Sequence, residues 1–234
     1  MPMFASRGAY VGKPLQIRLA VRATPRPRKR KSAKAVTGDV LAKLLATCST
    51  DNLRDIRDRA ILMVAFASGG RRRSEIAGLR REQISVEPPI AVENGPPLPS
   101  LSIHLGRTKT SGSEHDEVVY LTGRPVDALN VWMAAAKIES GSIFRKVDRW
   151  GNLSTRGLEP SAVNQIVKQR AAMAGLEPGE FSAHGLRSGY LTEAANRGIP
   201  LPEAMEQSRH RSVQQASSYY NSATRRNGRA ARML

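Results

Sequence analysis

Leu101-Ser-Ile-His-Leu105 and Glu117-Val-Val-Tyr-Leu121, on either side of Thr108-Lys-Thr-Ser-Gly-Ser-Glu-His115, decide the fold class of this chain. Both runs are short, rich in β-branched and apolar residues and bounded by turn-forming ones, the pattern of two strands joined by a hairpin loop. Lys109 then sits on or beside the hairpin tip. The sequence on both sides of this segment has helical period instead.

Toward the N-terminus, Thr37 or Gly38 can cap a short helix from Asp39 to about Thr47. Ser49 or Thr50 can cap a longer one, in which Leu53, Ile56, Ala60, Met63, Val64 and Ala67 fall on one face. Gly69 and Gly70 break it, and a further helix from about Arg72 to Arg80 turns Ile76 and Leu79 inward. Pro88-Pro89 and the Asn94 to Pro99 stretch read as loops. Beyond the hairpin, helical patterns run over Pro125 to Lys137, Ser161 to Ala174, Ala183 to Arg197, Pro202 to Gln207 and Ser212 to Ser222. The expected class is α+β, mostly α with one small antiparallel β-sheet.

The chain has 234 residues, enough for a proper core, and a formal charge of +17. That excess goes far beyond solubility and points to a polyanionic partner, nucleic acid before membrane. The longest uncharged apolar run, Ala60 to Ala67, falls well short of the roughly 20 residues that span a bilayer. No secretory signal is legible between Met1 and Lys34. The single Cys48 offers no internal disulfide and no metal cluster, so no cofactor or metal is expected, and the chain reads as cytoplasmic. No acid precedes Asp39 or follows Glu206, while Arg26, Arg28, Lys29, Arg30, Lys31 and Lys34 crowd a proline-containing stretch. Residues 1–34 are therefore expected to be a basic, disordered tail ahead of one domain over 35–234.

Several groups suit phosphate chemistry. In Gly70-Arg-Arg-Arg-Ser-Glu-Ile-Ala-Gly-Leu79, neighbouring side chains on a helix diverge by about 100°, so the three arginines cannot share a direction. Arg72 lies three before Glu75 and shares a face with Ile76 and Leu79, making it the inward arginine and Glu75 its orienting partner. Arg71 and Arg73 would then meet solvent or a DNA backbone. A plain surface basic cluster is the competing reading. His184 and Arg187 are three apart at the start of a helix that Ser182 can cap, where the helix dipole favours a phosphate. His210 follows, and then Tyr219 and Tyr220, whose phenols must point in different directions. At most one can be a nucleophile.

Taken together these positions resemble the catalytic domain of the tyrosine recombinase, or phage integrase, family. Phe66 to Arg80 looks like the family's first arginine block, with its arginine three before the acid, which selects Arg72. Gly106-Arg-Thr-Lys-Thr110 resembles the hairpin bearing the family's lysine, that of Cre recombinase in particular, and selects Lys109. Ser182-Ala-His-Gly-Leu-Arg187 resembles the His-x-x-Arg block. His210 to Tyr219 has the family's nine-residue spacing to the nucleophile, which selects Tyr219 over Tyr220. Arg209 departs from the pattern, standing where the family usually has glycine, and the segment before residue 35 is too short for the family's separate core-binding domain.

The resemblance implies a site-specific recombinase that cleaves and rejoins double-stranded DNA through a 3′-phosphotyrosine. A type IB topoisomerase or a catalytically incompetent DNA-binding remnant are the alternatives. Tyr219 would attack, losing a proton whose ordinary pKa is near 10 with help from the cations around it or from His184. Arg72 and Arg187 would clamp the phosphate oxygens, His210 would add a donor, and Lys109 would protonate the leaving 5′ hydroxyl. The helix Ser161 to Ala174, with Asn164, Gln165, Lys168, Gln169 and Arg170 on its polar side, is a candidate reader of the major groove. Residues from Thr224 to Leu234 would form a terminal helix docking into a neighbouring subunit of a homotetramer on DNA.

Overall fold

The computed structural model describes residues 34–105 and 118–227, with side chains described as far as Asn221. Expectations for residues 1–33, for Lys109 and for residues beyond Asn227 lie outside this range. The described residues belong to one compact unit.

Helix α1 is Gly38–Ala46, with Thr37 at its N-cap position. Helix α2, Leu53–Ala67, starts at Asn52, whose side chain accepts from the Asp55 N–H at 2.9 Å. Thr50 was an expected cap, but its amide and hydroxyl bind the Asp55 carboxylate instead, at 3.1 and 2.6 Å. Helical period predicts one apolar stripe on α2. In the structure Ala60, Ile61, Leu62, Val64 and Ala65 are all buried, because α2 runs through the middle of the domain. Helix α4, Arg124–Ala135, packs on it, and so do α1, α5 (Pro160–Met173) and α6 (Ala183–Asn196). A helix covered on several sides is apolar around most of its circumference.

The expected hairpin is present as β2, Leu98–His104, and β3, Val118–Thr122, in antiparallel register with Leu101 opposite Leu121. Three features of the sheet structure differ from the sequence reading, the first being that β2 already starts at Leu98, so that Leu98 and Pro99 belong to a strand rather than to the expected loop. Pro88 and Pro89 lie inside a further strand, β1 (Ile84–Ile90), and the sheet order is β1-β2-β3. An edge strand tolerates proline because one row of its amides needs no partner, and the register shifts between Glu87 and Ile90. A second, two-stranded sheet also forms, from β4 (Arg145–Val147) and β5 (Leu153–Gly157). The Asp148 carboxylate closes its turn by accepting from the Trp150 and Asn152 amides at 2.8 and 2.9 Å.

Arg170 corrects another expectation. Helical period puts it on the polar side of its helix, yet it is 2% exposed. Its guanidinium reaches Asp55 at 2.7 Å, Asp58 at 2.6 Å and the Thr47 carbonyl at 2.9 Å, tying α5 to α2 and to the end of α1. A guanidinium is buried at tolerable cost only when its donors are matched in this way. Asn164 is also engaged, accepting from the Ala183 N–H at 3.0 Å. Gln165, Lys168 and Gln169 remain exposed.

The last helices build a small second core. Helix α3 (Arg73–Ala77) lies after α2, while α7 (Leu201–Ser208) and α8 (Val213–Asn227) pack on α6. Leu191, Ala194, Ala204 and Ala216 are buried there, with Tyr190, Met205 and Tyr219 packed around them. The break expected between Ser222 and Thr224 does not occur, since α8 continues to Asn227.

Candidate active site

The site begins with a close approach of three chain segments. Gly69 and Gly70 take φ of +84° and +72° after α2, a conformation open to glycine at little cost. A Cβ on Gly70 would lie 2.2 Å from the Cα of Arg187, and one on Gly69 would lie 2.3 Å from that of Ser208. The bare backbone therefore brings the arginine block against both α6 and the end of α7. The Gly70 carbonyl accepts from Arg187 at 3.3 Å, and the Arg209 carbonyl stands 3.5 Å from the same guanidinium.

The inward arginine is not the one expected. Arg71 is 5% exposed, whereas the Arg72 side chain is 69% exposed. Helix α3 starts only at Arg73, and Arg72 is its extended N-cap at φ −63° and ψ 144°. Counting helical faces from Arg72 therefore starts one residue too early. Glu75 is the partner of Arg72 as expected, accepting from its guanidinium at 3.3 Å and from its amide at 3.2 Å. It also stands 3.8 Å from Arg71.

Ser182 occupies the N-cap position of α6, but its side chain makes no capping bond, and Asn164 serves the Ala183 amide instead. His184 is exposed on the first turn, and Arg187 lies half-buried on the second. Burial, with Arg71 beside it, pushes the Arg187 guanidinium down to about 10. Glu75 opposes, Arg72 adds to the fall, and the Tyr219 phenol opposes. Arg187 remains a cation at neutral pH.

His210 follows a left-handed turn at Arg209, φ 53° and ψ 42°, a conformation that glycine adopts at little cost. Its Nδ1 lies 2.7 Å from the Ser208 hydroxyl. Burial, then the charges of Arg187, Arg71, His184 and Arg72, pushes His210 down to about 4. The ring is thus neutral at pH 7. Where the Ser208 hydroxyl donates to Nδ1, the other ring nitrogen carries the proton and can donate to an oxyanion.

The two tyrosines have different surroundings. The Tyr220 hydroxyl donates to the Ile199 carbonyl. Tyr219 packs on the small second core and interacts electrostatically with Arg187. Of the residues expected from sequence, Arg72, His184 and Arg187 act electrostatically on His210, Tyr219 acts on Arg187, and Glu75 pairs with Arg72. The structural parts played here by Arg71 and Gln207 are not legible in the sequence, since Arg71 has only the preceding Gly69-Gly70 as a signal and Gln207 has none. Among the described residues, no group of His, Cys, Asp and Glu could hold a metal ion.

The model of the phage integrase family matches residues 34–226. This chain belongs to the phage integrase family. It is 30% identical over 175 residues to an integrase/recombinase XerD homolog of Selenomonas ruminantium, covering 72% of this chain and 48% of that protein. It is also 30% identical over 173 residues to the tyrosine recombinase XerD of Xanthomonas axonopodis pv. citri (strain 306), covering 74% of this chain and 53% of that protein. The chain thus spans about half the length of these curated relatives. Among solved structures, the XerH site-specific recombinase bound to a palindromic difH substrate superimposes with a TM-score of 0.63 at 18% identity, over 87% of this chain and 54% of that one. The XerA recombinase gives 0.61 at 18% identity, over 93% of this chain and 70% of that one. These likenesses confirm the α+β integrase fold. Among the described residues, no helix is long and apolar enough to cross a membrane.

Proposed function

We propose that this phage integrase family chain carries the catalytic part of a site-specific recombinase, cleaving and rejoining duplex DNA with Tyr219 as the nucleophile. The observation that carries the proposal is the pairing of environments at the two tyrosines: Tyr219 interacts with Arg187, while Tyr220 spends its hydroxyl on Ile199. The Tyr219 oxygen attacks phosphorus, a 3′-phosphotyrosine forms and the 5′ oxygen leaves. Arg72 and Arg187 hold the non-bridging oxygens, and planar, permanently charged donors suit the charge that grows there. Neutral His210 adds a hydrogen bond. His184 takes up or relays the phenol proton, and Lys109 gives one to the leaving hydroxyl. The phosphotyrosine keeps the bond energy, so an incoming 5′ hydroxyl reverses the reaction without a nucleotide cofactor.

The charge of +17 supplies phosphate affinity that falls steeply with salt. The exposed Gln165, Lys168 and Gln169 of α5 are the remaining candidates for base contacts. Assembly as a homotetramer on DNA, through residues beyond α8, and action in the cytoplasm complete the proposal.

The test uses the 234-residue chain and a library of nicked duplexes with randomised cores, in which covalent adducts are trapped, resolved on denaturing gels and sequenced. An adduct with the wild type that is lost in Tyr219→Phe is expected. An adduct that persists in Tyr219→Phe overturns the nucleophile assignment, and no adduct with any library member overturns cleavage by this chain. Strand exchange between two recovered sites is expected; plasmid relaxation without exchange would place the chemistry with topoisomerases.

A further inference from the structure

Two helix ends meet beside the candidate site, and each finishes the other. Helix α2 ends at Ala67 and α7 at Ser208, so the last carbonyls of both lack partners within their own helix. The Arg71 guanidinium, just after α2, donates through Nη2 to the Gln207 carbonyl of α7 at 2.9 Å and through Nε to the Ser68 carbonyl at 2.8 Å. In return, the Gln207 side chain donates through Nε2 to the Ala67 carbonyl of α2 at 2.8 Å, and to the Tyr120 carbonyl of β3 at 2.8 Å. The exchange fastens α2, β3 and α7 at one point. A cation at the C-terminal end of a helix is also on the favoured side of its dipole.

The residues that follow this point are Ser208, Arg209 and His210. The Ser208 hydroxyl meets the His210 ring at 2.7 Å, and the Arg209 carbonyl stands 3.5 Å from Arg187. Arg71 itself is 5% exposed, too enclosed for its guanidinium to serve as a phosphate ligand while it holds two carbonyls. We propose that Arg71 and Gln207 act as a positioning clasp, which sets the His210 turn against the first arginine block without either residue touching DNA. The catalytic arm of the test below rests on the proposed function; the structural arm does not.

A positive charge alone does not make the clasp. Arginine's fork spans two carbonyls, whereas lysine is a point donor that can hold one. Arg71→Lys therefore keeps the local charge and loses the fastening. His210 reports the difference, because burial is the leading cause of its low pKa, followed by Arg187, Arg71, His184 and Arg72. Those groups face it from α6 and from the α2–α3 turn, and the Ser208 hydroxyl faces it from the end of α7.

The experiment follows the histidine rings of the full chain by NMR through a pH titration, in the wild type, Arg71→Lys, Gln207→Met and the double variant. Gln207→Met leaves the carbonyl that Arg71 caps, so it probes the clasp even where Arg71→Lys fails to fold. In each variant the His210 midpoint is expected to rise from about 4 by roughly a unit or more, as the loosened turn admits water. Adduct formation should slow roughly tenfold or more, equal to about 1.4 kcal/mol. Affinity for a random-sequence 40-bp duplex should stay within about threefold, since no phosphate contact is lost. The double variant should be no worse than the worse single one, because the two residues act as a unit. An unchanged His210 midpoint in Gln207→Met overturns the clasp. Weakened duplex binding in Arg71→Lys with an unchanged midpoint would make Arg71 a phosphate ligand and overturn it equally. A shifted midpoint with no adduct in any protein leaves the clasp standing and removes the proposed function instead.

Discussion

Gly70 lies against Arg187 with no room for a side chain: a Cβ on the glycine would fall 2.2 Å from the arginine's Cα. This contact, between the turn after α2 and the second turn of α6, joins the two halves of the candidate site. Gly70→Ala must force the backbones apart and also hold alanine at φ +72°. A loss of about 2–4 kcal/mol is expected, the sum of left-handed strain and overpacking. Chemical denaturation measures it. A loss under about 0.5 kcal/mol would mean that the contact is not maintained in solution.

Tyr220 should be dispensable for chemistry. Tyr220→Phe removes the bond to the Ile199 carbonyl and is expected to lower stability by about 1 kcal/mol while leaving adduct formation within about twofold. Loss of the adduct in this variant, with retention in Tyr219→Phe, would exchange the roles of the two residues.

Arg209 occupies the left-handed region at φ 53°, which costs an L-residue roughly 1–2 kcal/mol and glycine much less. Part of the gain is returned, because glycine has more freedom to lose on folding. Arg209→Gly is therefore expected to stabilise the protein by about 0.5–1 kcal/mol and to raise its melting temperature. The carbonyl near Arg187 belongs to the backbone and survives the change. A lower melting temperature would show that the Arg209 side chain contributes more than its backbone strain costs.

Acidification should weaken the fold in two stages. His210 sits at about 4 in the folded protein, below the ordinary 6.5 of an unfolded histidine. Protons then bind the unfolded chain more tightly, so this stability is complete above about pH 6.5 and is lost as pH falls toward 4. For a half-buried ring the loss is about 2 kcal/mol. Asp55 follows at lower pH. Burial raises its pKa, but its bonds to Thr50 and Arg170 outweigh that and hold it below the ordinary value, so its stabilisation too is lost on protonation. Denaturation midpoints at pH 7, 5 and 3.5 check the order. His210→Gln should abolish the first stage and leave the second.

Much of the fold was legible because it is local. The helices at Pro160–Met173 and Ala183–Asn196 lie within a residue or two of their sequence expectations, since period and proline placement set them along a single stretch of chain. The β2–β3 pair was legible for the same reason. Strand β1 was not. Pro88-Pro89 normally signals a loop, and only the sheet order, with β1 at an edge, makes two prolines compatible with a strand.

The candidate site divides in the same way. Sequence by itself determined which residue types were present and at what spacing: Arg72 three before Glu75, His184 three before Arg187, and His210 nine before Tyr219. Tertiary structure alone decided direction and burial. It turned Arg71 inward and Arg72 outward, because two left-handed glycines and an extended N-cap precede α3. It buried Arg170 against Asp55 and Asp58, residues more than a hundred positions away. It also gave Tyr220 a carbonyl partner and put Tyr219 within electrostatic reach of Arg187. Spacing specifies which side chains can share a face, but the free energy of a buried charge or a phenol depends on partners brought from elsewhere in the chain, and folding alone supplies those partners.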